Sequence, residues 1–195
     1  MVADIKGRDV AAAPVYVTGA AAFAPVLLEN VISKVDLGDP SKALPAAFRF
    51  MGLRTSDGGP EASTDTGDAI EFLESGFELG GDGSISVKMT LAQLTPTTRE
   101  LINGIAPDSN GVIEVKSITP DTTFILYLES VFKNGQIQRQ EGVARISEVA
   151  VGKEERSSVK GIEVTFKWLP HDLFNGAHYW DAVITPGAPV PNPEP

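Results

Sequence analysis

The pattern that most restricts this chain is a two-residue alternation of apolar and polar side chains. From Ser84 to Leu91, SISVKMTL places Ile85, Val87, Met89 and Leu91 on one face and Ser84, Ser86, Lys88 and Thr90 on the other. From Gly161 to Trp168, GIEVTFKW sets Ile162, Val164, Phe166 and Trp168 against Glu163, Thr165 and Lys167. Successive side chains of a β-strand point to opposite faces, so this period fits strand and not helix. One dry face and one wet face further imply antiparallel sheet.

The stretch TTFILYLESVF, Thr122 to Phe132, departs from that pattern. Phe124, Leu126 and Leu128 alternate with Ile125, Tyr127 and Val131, so both faces are apolar. Such a strand is either central and covered twice, or covered by a neighbouring chain. It ends at Lys133-Asn134-Gly135-Gln136, where Asn-Gly suits a type I′ turn because both central residues need positive φ. A return strand is expected from Ile137 through VARISEVAV. Helix signals converge on TPTTRELING, residues 95–104. Thr95 or Thr97 can cap it, Pro96 suits its first turn, Glu100 can complete a capping box with Thr97, and Gly104 can stop it. AFRFMGLRT, residues 47–55, reads as a further strand.

Between that strand and SISVKMTL runs SDGGPEASTDTGDAIEFLESGFELGGDG, residues 56–83. It holds eight acids, Asp57, Glu61, Asp65, Asp68, Glu71, Glu74, Glu78 and Asp82, and no lysine or arginine. The nearest bases are Arg54 and Lys88. The run is expected to be a long acidic loop, and loops of this length are uncommon unless they have a function.

Composition narrows the chemistry. The chain has 195 residues and no cysteine, which excludes disulfides and thiolate metal sites. Its 16 bases and 26 acids leave a net charge of −10, the wrong sign for binding nucleic acid by counterion release. His171 and His178 are not spaced as helical zinc ligands. The acids at Asp65, Asp68 and Asp82 do not meet the EF-hand spacing. Ser157 and Lys160 form an S-x-x-K string without its companion motifs. No phosphate loop, dinucleotide fingerprint or nucleophile elbow occurs. The expectation is therefore no catalytic residue, no metal ligand and no cofactor. Val10 to Leu28 carries no charge, but Pro14, Gly19 and Pro25 would interrupt a helix. It reads as a strand, PVYVT, followed by a flexible small-residue segment, not as a signal peptide or a membrane span. The tail from Thr185, TPGAPVPNPEP, has five prolines and is expected to be extended.

The order of these pieces resembles the major tail (tail tube) protein of long-tailed, non-contractile bacteriophages, most like those of actinobacterial phages. The resemblance covers about residues 12–184. It runs from an arm with APVYVT, through LGDPSKALPAAFRFMGLRTSDGG, the acidic excursion, SISVKMTLAQLTPTTRELING and an Asn-Gly hairpin. It closes on RISEVAVGKEERSSVKGIEVTFKW and the aromatic-rich DLFNGAHYWDAV. Where that family often has a tryptophan and a base soon after the excursion, this chain has IEFLESGFEL, which leaves the register of the loop open.

The resemblance implies a mainly β fold: an antiparallel β-sandwich or barrel with one flanking short helix and extended arms. The N-terminal arm with the first strand would occupy residues 1–45, the tail-tube domain 46–184 and the proline-rich tail 185–195. It also implies a structural virion protein, not an enzyme, assembled in the host cytoplasm. Its copies would form rings of six that stack into the tail tube. The partners implied are further copies of itself, the tape measure protein, and the tail terminator and distal tail proteins. DNA would pass through the lumen without specific binding, and no membrane is involved. On this reading the eight acids form a self-assembly loop, reaching an adjacent subunit or ring or facing the passage, where they would repel DNA. Phe124, Leu126 and Leu128 become a core or subunit-interface strand. A rival reading is a secreted β-sandwich binding module with a calcium-stabilised acidic loop. It accounts for the strands and the acids but not for the missing disulfides.

Overall fold

In the computed structural model, which describes residues 9–68, 70–71, 76–79, 83–115 and 121–186, one long strand organises the sheet. This strand, β8 (Ile137–Val151), pairs with β7 (Thr123–Phe132) along Ile137 to Arg145. On its other side it pairs first with β10 (Trp180–Ile184) and then, from Val143 onward, with β9 (Ile162–Leu169). The full order is β2-β1-β7-β8-β9-β6-β3, with β10 also on β8, and every pairing is antiparallel. Here β1 is Tyr16–Ala24, β2 Arg49–Phe50, β3 Glu61–Asp65 and β6 Ser84–Leu91. A register shift between Ile146 and Glu148 marks a bulge, which bends β8 and increases its twist. The sheet therefore folds over on itself, and its two halves face each other as a sandwich.

The space between the halves is the main core. Phe124, Leu126 and Leu128 of β7, with Ala21 and Phe23 of β1, meet Val87, Met89 and Leu91 of β6 and Val164, Phe166 and Trp168 of β9. Phe124 packs edge-on against Phe23 and Phe166, with ring centres 5.8 and 5.9 Å apart. The helix α2 (Pro96–Asn103) adds Leu101 to this core. Thr95 is its N-cap, accepting the Thr98 N–H, and Gly104 ends it with φ of 68°.

A second core lies on the outer face of β1 and β7. Ala22, Ala24, Ile125, Tyr127 and Val143 point there. They are covered by a strap, residues 25–48, through Ile32, Leu37 and Phe48, and by Phe174. The strap contains the four-residue helix α1 (Lys34–Leu37), capped by Ser33. The sequence left two ways to cover β7. The structure places Phe124, Leu126 and Leu128 at 6, 0 and 3% exposure within this chain's own core.

Four sequence expectations change. The small-residue segment after PVYVT is strand, not a flexible linker. Its alanines are small enough for the strap to close over Ala22 and Ala24 on one face and the main core over Ala21 on the other, and a side chain at Gly19 would collide with the Glu129 carbonyl. The strand expected over 47–55 shrinks to Arg49–Phe50, because Gly52 turns the backbone at φ of 85°. The chain then crosses from β1 to β6. Met51 donates to Ala21, Leu53 accepts from Ala92, and Thr55 donates to Thr90. This crossing links the two edges of the folded sheet. The hairpin after Phe132 is not type I′, because Asn134 keeps negative φ and only Gly135 is left-handed, at 83°. Gly135 donates to Phe132, and Phe132 to Gln136, the pattern of a type I turn followed by a glycine bulge. Finally, the run 56–83 is not all loop, since β3 lies within it and pairs with β6.

Leu126 tests the double cover directly. Leu126→Ala should lower unfolding free energy by about 3 kcal/mol, the usual cost of such a cavity. Leu126→Asp should abolish the folded state. Denaturant titration followed by far-ultraviolet circular dichroism reads both, and a folded aspartate variant would refute the burial.

Candidate functional site

The acidic run divides into pieces with different settings. Asp57 sits in the exposed turn after the crossing. Glu61 and Asp65 begin and end β3, whose side chains are all exposed. Glu61 approaches Lys88 across the ladder at 3.6 Å, and Lys88 lies equally far from Glu163 on β9. Exposed pairs of this length contribute at most about 1 kcal/mol. Asp65 accepts the Gly67 N–H at 3.0 Å, and Asp68 is exposed. Beyond them, β4 (Ile70–Glu71) and β5 (Glu78–Leu79) make a two-stranded hairpin in which Glu71 and Glu78 are register partners. Glu74 and Asp82 lie outside the described residues. Among the described residues, no group of three or more His, Cys, Asp or Glu side chains is placed to hold a metal ion.

Two surfaces escape sequence reasoning. The first is apolar. Leu94, Val115, Val151 and Val159 are 67, 73, 61 and 63% exposed, and they line a cleft beside α2 floored by Ile102 and Ile162. Arg99 and Lys160 stand on its rim. Directly before β5, Phe77 is 68% exposed, next to Gly76 at φ of 91°. The second is the free edges. Among the described residues β3 pairs only with β6 and β10 only with β8, so each presents an open ladder of backbone groups. No local pattern marks the cleft, because its residues come from four separate stretches.

A third feature is buried and polar. Arg139 and Glu141 look like surface residues of an ordinary strand in IQRQEGVARI, yet they are 7 and 0% exposed under the strap. Arg139 Nε donates to Glu129 at 2.9 Å, and its Nη1 donates to the Asp39 carbonyl at 2.7 Å. Tyr127 Oη donates to the same Glu129 carboxylate at 2.8 Å. Burial, reinforced by that carboxylate, holds the Tyr127 hydroxyl well above its ordinary range. Among the described residues, the Glu141 carboxylate accepts only the Ile32 N–H, at 3.1 and 3.2 Å to its two oxygens. Burial pushes Glu141 up to about 8, and the Ile32 bond offsets this only in part. These contacts fasten the strap and are structural, distant from the acidic run.

No family model matches the chain, and no curated protein matches it in sequence. Among solved structures it is similar to the SPP1 tail tube, determined by solid-state NMR and cryo-EM. The identity is 11% and the TM-score 0.37, over 76% of this chain and 72% of that one. At that identity and score the likeness bears on neither function nor assembly.

Glu141 makes stability depend on pH. Its acid is protonated when folded and ionises near 4.5 when unfolded, so the stability it contributes is full below pH 4.5 and lost as pH rises to about 8. The loss is on the order of 5 kcal/mol. Glu141→Gln should flatten that slope and raise stability at pH 8. Urea unfolding at pH 5, 7 and 9 checks it, and an unchanged slope in the variant would assign the dependence elsewhere.

Proposed function

We propose that this chain is a self-assembling structural subunit, the repeating unit of a phage tail tube. The observation that carries the reading is the contrast between a closed core and an uncovered surface. Both faces of β7 are satisfied within one chain, so the exposed apolar cleft, the exposed Phe77 and two open strand edges are not needed for folding. Apolar surface concentrated in this way marks a place where another protein sits. The order of motifs in the sequence supports a tail tube as the assembly. On that reading copies close into rings, most simply of six, and the rings stack. The tape measure protein occupies the lumen, and terminator and distal tail proteins cap the ends. The net charge of −10 keeps the wall from holding DNA as it passes.

Purified protein should form rings or tubes with a central hole as concentration rises, visible by negative-stain electron microscopy. Monomers alone, across salt and concentration, would count against the proposal. The acidic run is expected to matter through its hairpin and not as a whole. Deleting all of it would strip β3 from β6 and expose a core edge. Replacing residues 69–82 with a short turn should instead leave circular dichroism and thermal unfolding unchanged while abolishing assembly. A polymer from that variant would remove the hairpin from the interface.

A further inference from the structure

The strap of residues 25–48 closes its backbone hydrogen bonds on itself. Val31 donates to Leu28, Leu37 to Ser33, Gly38 to Lys34, Lys42 to Asp39 and Phe48 to Pro45. Among the described residues, no backbone–backbone hydrogen bond joins it to the sheet, and its only other hydrogen bonds to the sheet come from two side chains of β8. Arg139 donates to the Asp39 and Pro40 carbonyls at 2.7 and 3.4 Å, and Glu141 accepts from Ile32. Arg139 stays charged at every pH of interest. Glu141 is fully buried with one donor, a setting that suits the neutral acid and penalises the carboxylate.

We propose that the strap is a latch, which undocks from the sheet as one unit when Glu141 loses its proton while the sandwich beneath stays folded. The residues that it covers, Ala22, Ala24, Ile125, Tyr127 and Val143, face away from the main core, whose own cover does not involve the strap. Opening therefore removes the second core and leaves the first. No neighbour relieves an ionised Glu141 in place. Its register partners are Tyr127 on β7 and Trp180 on β10. Glu129 of β7 is already bound to Tyr127 and Arg139, and β1 presents only alanines. On the strap, Lys34 lies over the Trp180 ring, and Asp36 and Asp39 are held below the usual carboxylate range by Lys42 and Ser41. The turn that carries Phe174 adds His171 and Asp172, and His178 precedes β10. Glu141 ionises near 4.5 once free in water and near 8 when docked, so each pH unit between raises the open fraction about tenfold.

Amide hydrogen exchange of the wild-type protein by NMR, corrected for intrinsic rates, tests the latch. Ile32, Leu37 and Gly38 should share one protection factor, at least about a hundredfold below that of the hydrogen-bonded β7–β8 amides, and lose it about tenfold per pH unit from 5 to 8. Glu141→Gln should remove that slope. Leu37→Ala should lower strap protection by one factor at every pH and keep the slope. Equal protection in strap and ladder would show global unfolding and overturn the separate unit. A slope that persists in Glu141→Gln would move the switch to His171 or His178 and overturn Glu141. The wild-type Glu141 carboxyl carbon resonance gives a reading that needs no variant. A carboxyl already ionised at pH 6 beneath a fully protected strap would overturn the proposal.

Discussion

The burial of β7 on both faces is the constraint from which the rest of the structure follows. Its alternation puts Phe124, Leu126 and Leu128 on one side and Ile125 and Tyr127 on the other. Burying each such side chain is worth about 1.5–3 kcal/mol, so neither face can be left wet. One sheet has a single inner face, and the fold meets the demand in two ways. The bulge after Ile146 lets β8 carry the sheet round until β6 and β9 cover the first face. The strap of residues 25–48 covers the second. The crossing from Arg49 to Thr55 then links the two edges that this folding brings together.

The strap raises a problem of specificity. Apolar contacts at Ile32, Leu37 and Phe48 would hold it down in more than one position. The polar contacts fix one register. Arg139 takes the Asp39 carbonyl, and Glu141 takes the Ile32 N–H. Such buried groups are costly to desolvate, and their stability return is small or negative. A raised protonation range for Glu141 is the direct sign of that cost. What the arrangement returns is a defined outer surface, with Lys34 drawn over the Trp180 ring at 5.1 Å.

Core and surface thus divide the apolar residues between folding and association. The core accounts for the large side chains of β6, β7 and β9. Some of those left outside line the cleft beside α2, and Phe77 stands exposed directly before β5. A monomer that buries both faces of its central strand and still exposes an apolar cleft and two strand edges carries surface that its own folding does not use.

Elements whose determinants are local are legible in the residues themselves. The faces of β6 and β9 follow from a period of two, and α2 follows from its caps at Thr95 and Gly104. The two-sidedness of β7 and the base-free acidic run are equally plain. What covers β7 is not legible, because the covering contacts join residues such as Ile32 and Glu141, 109 positions apart. For the same reason the alanines of β1 read as a linker, since nothing nearby in sequence shows that two layers close on them. Asn134-Gly135 signals a turn but not its type, which the flanking strands decided. The sequence by itself therefore determined which segments are strand or helix and which faces are dry, since these are set by neighbours a few residues away. The tertiary structure alone decided which dry faces meet each other and which remain uncovered, since that depends on how a bent sheet brings distant segments together.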